Sequence, residues 1–418
     1  MTNFAQMFSK LFFGAAVRVV TLALFLVLFG AITALAQTRA YVTNDLSRSV
    51  SVIDTATNTV IATIPVGDFP IGVAVTPNAA FAYVTTFSAG VSVISTATNT
   101  VVATVPIQGG GVGIAITPDG AFAYVASFFG NTVSVISTTS NKVTATLFGG
   151  LGLPFSVAIT PNGAFAYVTN EGGEVAVINT ATNTVTATVE FGGIQSPIAI
   201  TPNGAFVYVV SQVDSNVSVI STATNTVVAT IPIPMGITSH GLDITPNGKF
   251  AYVGNVSDDS VYVIDTATNT VVAAVSVGAD PFGVAINPNG TFAYVTNFAD
   301  NTVSVISTAT NTVVATIPVG NNPFSIAFPV RIQVASIIAR VEALVTAGTL
   351  TQNKASGLIA KLKGVEAKLE HGPTGAACNQ LNAFINQVNA FINNGSLTAA
   401  QGQTLIDAVN AIKANTGC

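Results

Sequence analysis

The amino-acid sequence predicts a mainly β protein: a seven-bladed β-propeller of four-stranded antiparallel blades, followed by a small all-α domain of four helices. Three observations predict this fold. One tyrosine recurs at intervals of 41 to 44 residues, four short β-type runs fill each interval, and the apolar spacing becomes helical after Pro329. The recurring tyrosines are Tyr41, Tyr83, Tyr124, Tyr167, Tyr208, Tyr252 and Tyr294. Such a period is typical of a propeller, because each small sheet buries its faces only against its neighbours.

The segment 1–36 has the pattern of a secretory signal peptide. Two basic residues precede an apolar run of 14 residues, 19–32, and Ala34-Leu35-Ala36 supplies a small-x-small cleavage site. The run is shorter than the roughly 20 residues that a membrane-spanning helix needs. We therefore expect a secreted, periplasmic or cell-surface protein. The alternative is an uncleaved leader, which would then be the only membrane anchor.

Charged residues are scarce and unevenly distributed. The predicted propeller, 37–330, holds 14 acidic and 4 basic residues, for a net charge of −10. The predicted helical domain, 331–418, holds 4 acidic and 7 basic residues, for a net charge of +3. An acidic propeller does not attract a polyanion, so we expect no nucleic-acid partner. The oligomeric state is left open.

Each repeat reads as four strands joined by short turns, which predicts antiparallel pairing. The first strand is apolar throughout and is expected to lie innermost. The fourth strand is expected at the outer edge, because it carries prolines, which cannot donate a ladder hydrogen bond. These prolines are Pro65, Pro106, Pro232 and Pro318. The hairpin before the fourth strand ends in an asparagine suited to left-handed backbone, namely Asn58, Asn99, Asn141, Asn183, Asn225, Asn269 or Asn311.

The repeats are out of phase with the ends of the predicted propeller. They begin on a second strand, at Ala40, and end on a first strand, 323–328. We therefore expect strand 323–328 to pair with the N-terminal strands and complete one blade. That pairing closes the ring, and an open ring would leave sheet faces exposed.

The tail carries apolar residues at helical spacing, which predicts two helical hairpins. Its connectors Gly348-Thr349-Leu350-Thr351 and Gly395-Ser396-Leu397-Thr398 match each other, with glycine ending one helix and threonine capping the next. Cys378 and Cys418 are the only cysteines, and export favours a disulfide between them. Two sulfurs are too few ligands for a metal site, and none is expected.

The segments Tyr41-Val42-Thr43-Asn44, Tyr167-Val168-Thr169-Asn170 and Tyr294-Val295-Thr296-Asn297 resemble the signature of YVTN-family β-propeller repeats. The resemblance covers residues 38–329. It implies a propeller of the kind found in exported and microbial surface-layer proteins, and a structural motif that transfers no catalytic residue. The tail, 331–418, resembles the FIMAH domain, chiefly through Ala383-Phe384-Ile385-Asn386-Gln387-Val388.

The two faces of the predicted propeller differ in sequence. Turns joining first to second and third to fourth strands are nearly identical between blades, and we call their side the turn face. The remaining loops differ in every repeat and define the variable face. Acidic residues gather there, and the acidic members are Asp45, Asp68, Glu171, Glu174, Asp214, Asp258, Asp259, Asp280 and Asp300. The phenylalanines that accompany them are Phe69, Phe128, Phe129, Phe155, Phe282 and Phe298. This face is either a binding surface or a solvated rim that keeps a charge-poor protein soluble.

One blade departs from the repeat. Asp243 stands where the other first strands carry alanine, and His240 occupies a slot filled elsewhere by Phe155, Phe282 or Phe324. A carboxylate on an innermost strand needs a partner. We expect Asp243 either to hold His240 or to reach the central channel, and we include both residues in the candidate binding face.

The sequence favours an exported, non-enzymatic scaffold that binds a protein or a glycan. It assigns no catalytic residue, cofactor or metal. The alternatives are a propeller enzyme of the lactonase or lyase type that uses the variable face, and a structural component of a surface layer or matrix.

Overall fold

The computed structural model describes residues 39–88, 90–194, 196–234, 239–329, 334–369 and 375–416. Within these ranges, 28 strands form seven four-stranded antiparallel sheets, and four helices follow. The predicted fold class is therefore confirmed. The predicted leader, 1–36, lies outside the described residues, and the three domain boundaries stay predictions. None of the described helices has the length and hydropathy that a membrane crossing requires.

The strands fall into four groups by their position in a blade. The first strands are β4 (Pro70–Val75), β8 (Gly111–Ile116), β12 (Pro154–Ile159), β16 (Ile198–Ile200), β20 (Leu242–Ile244), β24 (Pro281–Ile286) and β28 (Pro323–Ala327). The second strands are β1 (Arg39–Asn44), β5 (Phe81–Thr86), β9 (Phe122–Ser127), β13 (Phe165–Asn170), β17 (Phe206–Ser211), β21 (Phe250–Asn255) and β25 (Phe292–Asn297).

The third strands are β2 (Ser49–Asp54), β6 (Gly90–Ser95), β10 (Thr132–Ser137), β14 (Glu174–Asn179), β18 (Asn216–Ser221), β22 (Ser260–Asp265) and β26 (Thr302–Ser307). The fourth strands are β3 (Thr59–Pro65), β7 (Thr100–Val105), β11 (Lys142–Phe148), β15 (Thr184–Glu190), β19 (Thr226–Pro232), β23 (Thr270–Ser276) and β27 (Thr312–Pro318). Blade 1 contains β28, β1, β2 and β3, and blades 2 to 7 take β4 to β27 in chain order.

Every blade pairs its strands in the order first, second, third, fourth, so the fourth strand is an edge as predicted. First strands of neighbouring blades contact each other around the axis, which places them innermost. Three of the predicted edge prolines end a fourth strand, whereas Pro106 follows β7 directly. The core lies between blades, where alternating valine, isoleucine and alanine side chains of adjacent sheets pack together.

The ring is closed by the two ends of the repeat region, as expected. Strand β28 pairs antiparallel with β1, with Tyr41 opposite Ala327 and Val42 opposite Ile326. Ile326 and Phe328 are buried, and the Phe328 ring lies 5.2 Å from the Tyr294 ring in an edge-to-face contact. Burial of each side chain stabilises the closed ring by about 1.5–3 kcal/mol.

The recurring tyrosines join each blade to the next. All seven are buried, and six donate their hydroxyl to an asparagine of the neighbouring blade. The Tyr124 hydroxyl, for example, lies 2.6 Å from Asn183 Oδ1. Tyr294 bonds Asn58 at 3.1 Å and so ties blade 7 to blade 1. Burial, together with the Asp119 charge, raises the pKa of Tyr124 to about 12, so the hydroxyl remains a donor at neutral pH.

Two requirements, one of the backbone and one of the side chain, select asparagine at the hairpin positions. All seven have φ of 52–53°, the predicted left-handed conformation. Asparagine tolerates this conformation better than other non-glycine residues and also supplies the amide oxygen that the tyrosine needs. Tyr41 is the exception, because Asn99 Oδ1 has no hydrogen-bond partner and Arg39 Nη1 instead donates to Thr96 O at 2.9 Å.

A threonine after the tyrosine connects the inner strands. Thr85 Oγ1 accepts from Gly72 N of its own blade at 2.7 Å and donates to Val112 O of the next blade at 2.8 Å. Equivalent pairs of bonds are made by Thr43, Thr169 and Thr296. A side chain at Gly72 would collide with the carbonyl of Val112, so the inner strands approach too closely for a Cβ there.

The turn between the first and second strands, on the turn face, is repeated from blade to blade. In blade 4, Thr160 Oγ1 donates to Asn162 Oδ1 at 2.7 Å, and Ala164 N donates to the same oxygen at 3.0 Å. Gly163, which lies between Asn162 and Ala164, has φ of 74°. Blade 2 places Ala79 at this position, with φ of 56°. Ala79 therefore occupies a conformation that costs an L-residue about 1–2 kcal/mol.

The helices are α1 (Val334–Thr346), α2 (Gln352–Leu369), α3 (Gly375–Asn393) and α4 (Ala399–Thr416). Their predicted apolar stripes form one buried cluster, in which Phe384 and Val388 are fully buried. Gly348 and Gly395 end α1 and α3 with φ of 72° and 73°. Thr398 caps α4 as predicted, since its Oγ1 accepts from Gln401 N at 3.2 Å. Cys378 in α3 is disulfide-bonded. Its predicted partner Cys418 lies outside the described residues, so the pairing stays a prediction.

Replacing Tyr124 by phenylalanine should destabilise the propeller by about 1–2 kcal/mol, because Asn183 Oδ1 then loses its buried donor. Tyr41→Phe is the matched control and should cost less, since Tyr41 makes no bond to Asn99. Denaturant unfolding of both variants measures the difference. Equal losses at the two positions would show that the bond to asparagine contributes no more than the contacts of the Tyr41 hydroxyl with Arg39 and Thr96.

Replacing Ala79 by glycine should raise the free energy of unfolding by roughly 0.5–1 kcal/mol, because glycine adopts the left-handed conformation without strain. Ala80→Gly is the control, because Ala80 has no positive φ and should lose stability. Thermal melts of the two variants check the prediction, and a lower melting temperature for Ala79→Gly would contradict it.

Candidate functional site

The predicted acidic residues all lie where the sequence placed them, in the loops or strand starts of the variable face. Asp45, Glu171, Asp214, Asp258, Asp259 and Asp300 fall between second and third strands, and Glu174 begins β14. Asp68 and Asp280 fall between one blade and the next. The structure distributes them around the rim. Among the described residues, no three His, Cys, Asp or Glu side chains come close enough to hold a metal ion.

Several of these carboxylates brace their own loop, and others join two loops of the variable face. Asp258 Oδ1 accepts from Asn255 Nδ2 at 2.9 Å and from Ser260 Oγ at 2.6 Å. Asp258 Oδ2 lies 2.7 Å from the Tyr262 hydroxyl. Asp259 Oδ1 accepts from Asp280 N at 2.9 Å, which links a loop within blade 6 to the loop that leads into blade 7. These side chains fix the shape of the loops and do not converge on one point.

The other acidic residues behave similarly. Asp300 Oδ2 accepts from Ala279 N at 2.8 Å, and Glu174 Oε2 accepts from Asn170 Nδ2 at 3.0 Å. Ser211 Oγ lies 3.2 Å from Asp214 Oδ2. Asp68 forms a 3.2 Å salt bridge with Arg48. Burial raises the pKa of Asp45, and the backbone N of Glu171 donates to Gly152 O at 3.1 Å. The loops of the variable face are therefore held in defined conformations.

His240 belongs to an aromatic group at the axis. Its ring stacks on Phe282 at 4.2 Å with an interplanar angle of 14°, and Phe282 stacks on Phe298 at 4.7 Å. Phe155 and Phe324 flank His240, each at 6.4 Å. These five residues form what we call the axial aromatic cluster. His240, Phe155, Phe282 and Phe324 occupy the same slot of their repeats, and the closed ring brings the three phenylalanine rings around His240.

The axial aromatic cluster keeps His240 uncharged. Burial lowers the pKa of His240 to about 4, and its buried Nδ1 has no hydrogen-bond partner among the described residues. At neutral pH the imidazole is therefore a neutral ring that packs like the phenylalanines in the same slot.

Asp243 bridges two blades. Its Oδ1 accepts from Ile244 N at 2.8 Å, and its Oδ2 accepts from Ile286 N of the next first strand at 2.7 Å. Of the two expectations for Asp243, the pairing with His240 is not observed among its hydrogen bonds. Burial raises the pKa of Asp243 from 3.8 to about 6, although the two amides act in the opposite direction. The carboxylate is thus an interblade brace at the wall of the axis.

A second aromatic group lies on the variable face between blades 2 and 3. The Phe87 ring is 6.5 Å from Phe69 and 5.1 Å from Phe129, and Phe129 is 5.1 Å from Phe128. All three contacts are edge-to-face. We call these four residues the aromatic patch. Phe69 and Phe87 are each 42% exposed, and Phe129 is 64% exposed.

Sequence reasoning named three members of the aromatic patch and missed Phe87. The signal was present, because Phe87 follows its second strand directly, as Phe128 and Phe298 do. Aligning the blades position by position would have found it. The grouping itself was not predictable, since Phe69 precedes β4 and Phe129 follows β9, and only the ring brings those loops together.

Comparisons with known proteins agree with this architecture. Residues 197–321 match the family described as "Lactonase, 7-bladed beta-propeller", and residues 334–414 match the FIMAH domain. The FIMAH match confirms the resemblance of the tail. A comparison with curated proteins found no match.

Solved structures share the propeller. One is titled Kuenenia stuttgartiensis hydrazine synthase, at 25% identity and a TM-score of 0.58, with 64% of this chain and 92% of that chain covered. Another is a functionally unknown protein from Desulfotomaculum acetoxidans, at 20% identity and a TM-score of 0.61, with 69% and 98% covered. The second likeness supports the fold alone.

Replacing Asp243 by alanine, the residue of the other first strands, should change how stability depends on pH. The folded-state pKa of Asp243, about 6, lies above the ordinary 3.8. Ionisation of Asp243 therefore costs more in the folded than in the unfolded protein, and the wild type loses stability as pH rises between these values. Relative to the wild type, Asp243→Ala should gain about 2–3 kcal/mol between pH 4 and pH 7. Unfolding curves at several pH values measure this. The exposed Asp214→Ala is the control, and parallel pH profiles for Asp243→Ala and wild type would refute the assignment.

Proposed function

We propose that this protein is an exported, non-enzymatic β-propeller that binds a protein partner through its variable face. The observation that carries the proposal is the aromatic patch, where three phenylalanine side chains remain 42–64% exposed on loops held by hydrogen bonds. Exposed aromatic groups of this kind mark interaction surfaces, because burying them on a partner releases apolar area from water.

Other loops of this face also expose apolar side chains. Leu46 and Val213 are exposed on loops between second and third strands, and Ile194 is exposed between blades 4 and 5. Asp45 precedes Leu46, Asp214 follows Val213, and the propeller has a net charge of −10. An apolar surface with an acidic surround favours a partner that offers apolar side chains with basic residues around them.

The geometry of the aromatic patch favours a protein over a glycan. Its rings meet edge to face, at interplanar angles of 78° and 82°, so they form an irregular apolar surface and not a row of coplanar rings. A flat sugar ring stacks best on an exposed aromatic face, whereas an apolar side chain packs into such a corner. The signal-peptide pattern of 1–36 supports an extracellular or cell-surface location for this binding.

The enzyme alternative is favoured by one finding, the lactonase-type match over residues 197–321, which includes His240 and Asp243. The side-chain geometry supports it less. Both Asp243 oxygens accept backbone amides, and the His240 ring is stacked among phenylalanines. A general base must reach a substrate proton, and each of these side chains is engaged within the fold.

The test uses a random peptide library displayed on phage and selected on the purified protein. Selected peptides should combine apolar and basic residues, and their affinity should fall at least tenfold for Phe87→Ala and for Phe129→Ala, which corresponds to about 1.4 kcal/mol. Phe206→Ala is the matched control, because Phe206 is 39% exposed but lies at the start of β17 on the turn face.

Peptides whose affinity is unchanged in both patch variants would overturn the proposal. Binding on a glycan array with no peptide selected would favour a glycan ligand in its place. The same purified proteins are assayed with simple lactones, and turnover that His240→Ala abolishes would establish the enzyme alternative.

A further inference from the structure

The axis of the propeller contains an apolar cavity. Its volume is about 310 Å³. Five of the seven blades supply its wall through their inner strands and the turns that follow, namely Val73, Ala74, Val75, Ile114, Ala115, Ile116, Pro118, Ile159, Pro161, Ile200, Pro202, Ala327 and Phe328. No charged or hydrogen-bonding side chain is among them. Known ligand sites begin at about this volume and have mostly apolar walls.

The two ends of the axis differ. The axial aromatic cluster occupies the inner strands at the variable face, whereas the cavity lies toward the turn face, where Pro118, Pro161 and Pro202 line it. Asp243 spans blades 6 and 7, which contribute no lining residue. The cavity is therefore an apolar space at the turn-face end of the axis.

The helical tail brings a cation to this side. Phe328 lines the cavity, Pro329 pairs with Val75 of the lining, and α1 begins at Val334. Arg340, two turns into α1, interacts electrostatically with Asp119, which follows the lining residue Pro118. Burial lowers the pKa of Arg340. Arg48 and Asp68 form the one salt bridge among the described residues, so Asp119 acts on the Arg340 guanidinium from beyond ion-pair distance.

We propose that the axial cavity binds the alkyl chain of a medium-chain carboxylic acid, with its carboxylate directed toward Arg340. A methylene group occupies roughly the volume of a water molecule, ~30 Å³, so the cavity holds a chain of about ten carbon atoms. The apolar wall removes the chain from water, and the half-buried guanidinium supplies the charge that a carboxylate requires.

This site lies at the turn-face end of the axis, away from the aromatic patch. If the cavity binds no carboxylic acid, the proposed protein binding at the aromatic patch is unaffected. If the aromatic patch binds no protein, the proposal for the cavity is unaffected.

The experiment measures binding of decanoate and of the uncharged 1-decanol to the purified protein by calorimetry. Ala115→Leu adds side-chain volume to the lining and should weaken both ligands at least tenfold. Ile159→Phe serves as a second filling variant if Ala115→Leu proves unstable in a thermal melt. Both filling variants should lose binding without losing the β-sheet circular dichroism spectrum.

Arg340→Gln separates the role of charge from that of the cavity. It should weaken decanoate about tenfold and leave 1-decanol unchanged, while Arg48→Gln, on the variable face, should change neither. Absence of decanoate binding to the wild type would overturn the proposal. So would full affinity in a folded filling variant, or an equal effect of Arg340→Gln on the two ligands.

Discussion

The hydrogen bond from a buried tyrosine of one blade to an asparagine of the next, made at six of the seven tyrosines, is the interaction on which the ring depends. Each bond needs a left-handed residue with an amide oxygen at a fixed hairpin position, and a tyrosine at a fixed position in the neighbouring second strand. One repeat length satisfies both requirements, which explains why the tyrosine period hardly varies. At Tyr294 the same bond joins the last blade to the first, so ring closure uses the contact that already links adjacent blades.

This constraint divides the molecule into fixed and free regions. Residues that link blades, including the threonines between inner strands, repeat because their neighbours repeat. The loops of the variable face do not repeat one such link from blade to blade, and their sequences differ. Their carboxylates hold hydroxyls and backbone amides of the same loop or of a neighbouring loop. The acidic residues thus give the face its shape, and the phenylalanines give it exposed apolar area.

The fold has room for a ligand in two places. On the variable face, Phe69, Phe87 and Phe129 come from two neighbouring blades and remain exposed together. At the axis, small inner-strand residues leave an apolar space that larger side chains would fill. His240 and Asp243 are the most conspicuous departures from the repeat in the sequence. The His240 ring packs on Phe282, and the Asp243 carboxylate accepts the backbone amides of Ile244 and Ile286.

The sequence by itself determined the number of blades, the order of strands within them, the closure by β28 and the four helices of the tail. These features follow from local rules of periodicity, turn chemistry and proline placement, which act over a few residues and recur seven times. Only the tertiary structure decided which side chains meet across blades. The aromatic patch, the partners of Asp243 and the axial cavity depend on contacts between residues that are distant in sequence, and their geometry is set by the closed ring.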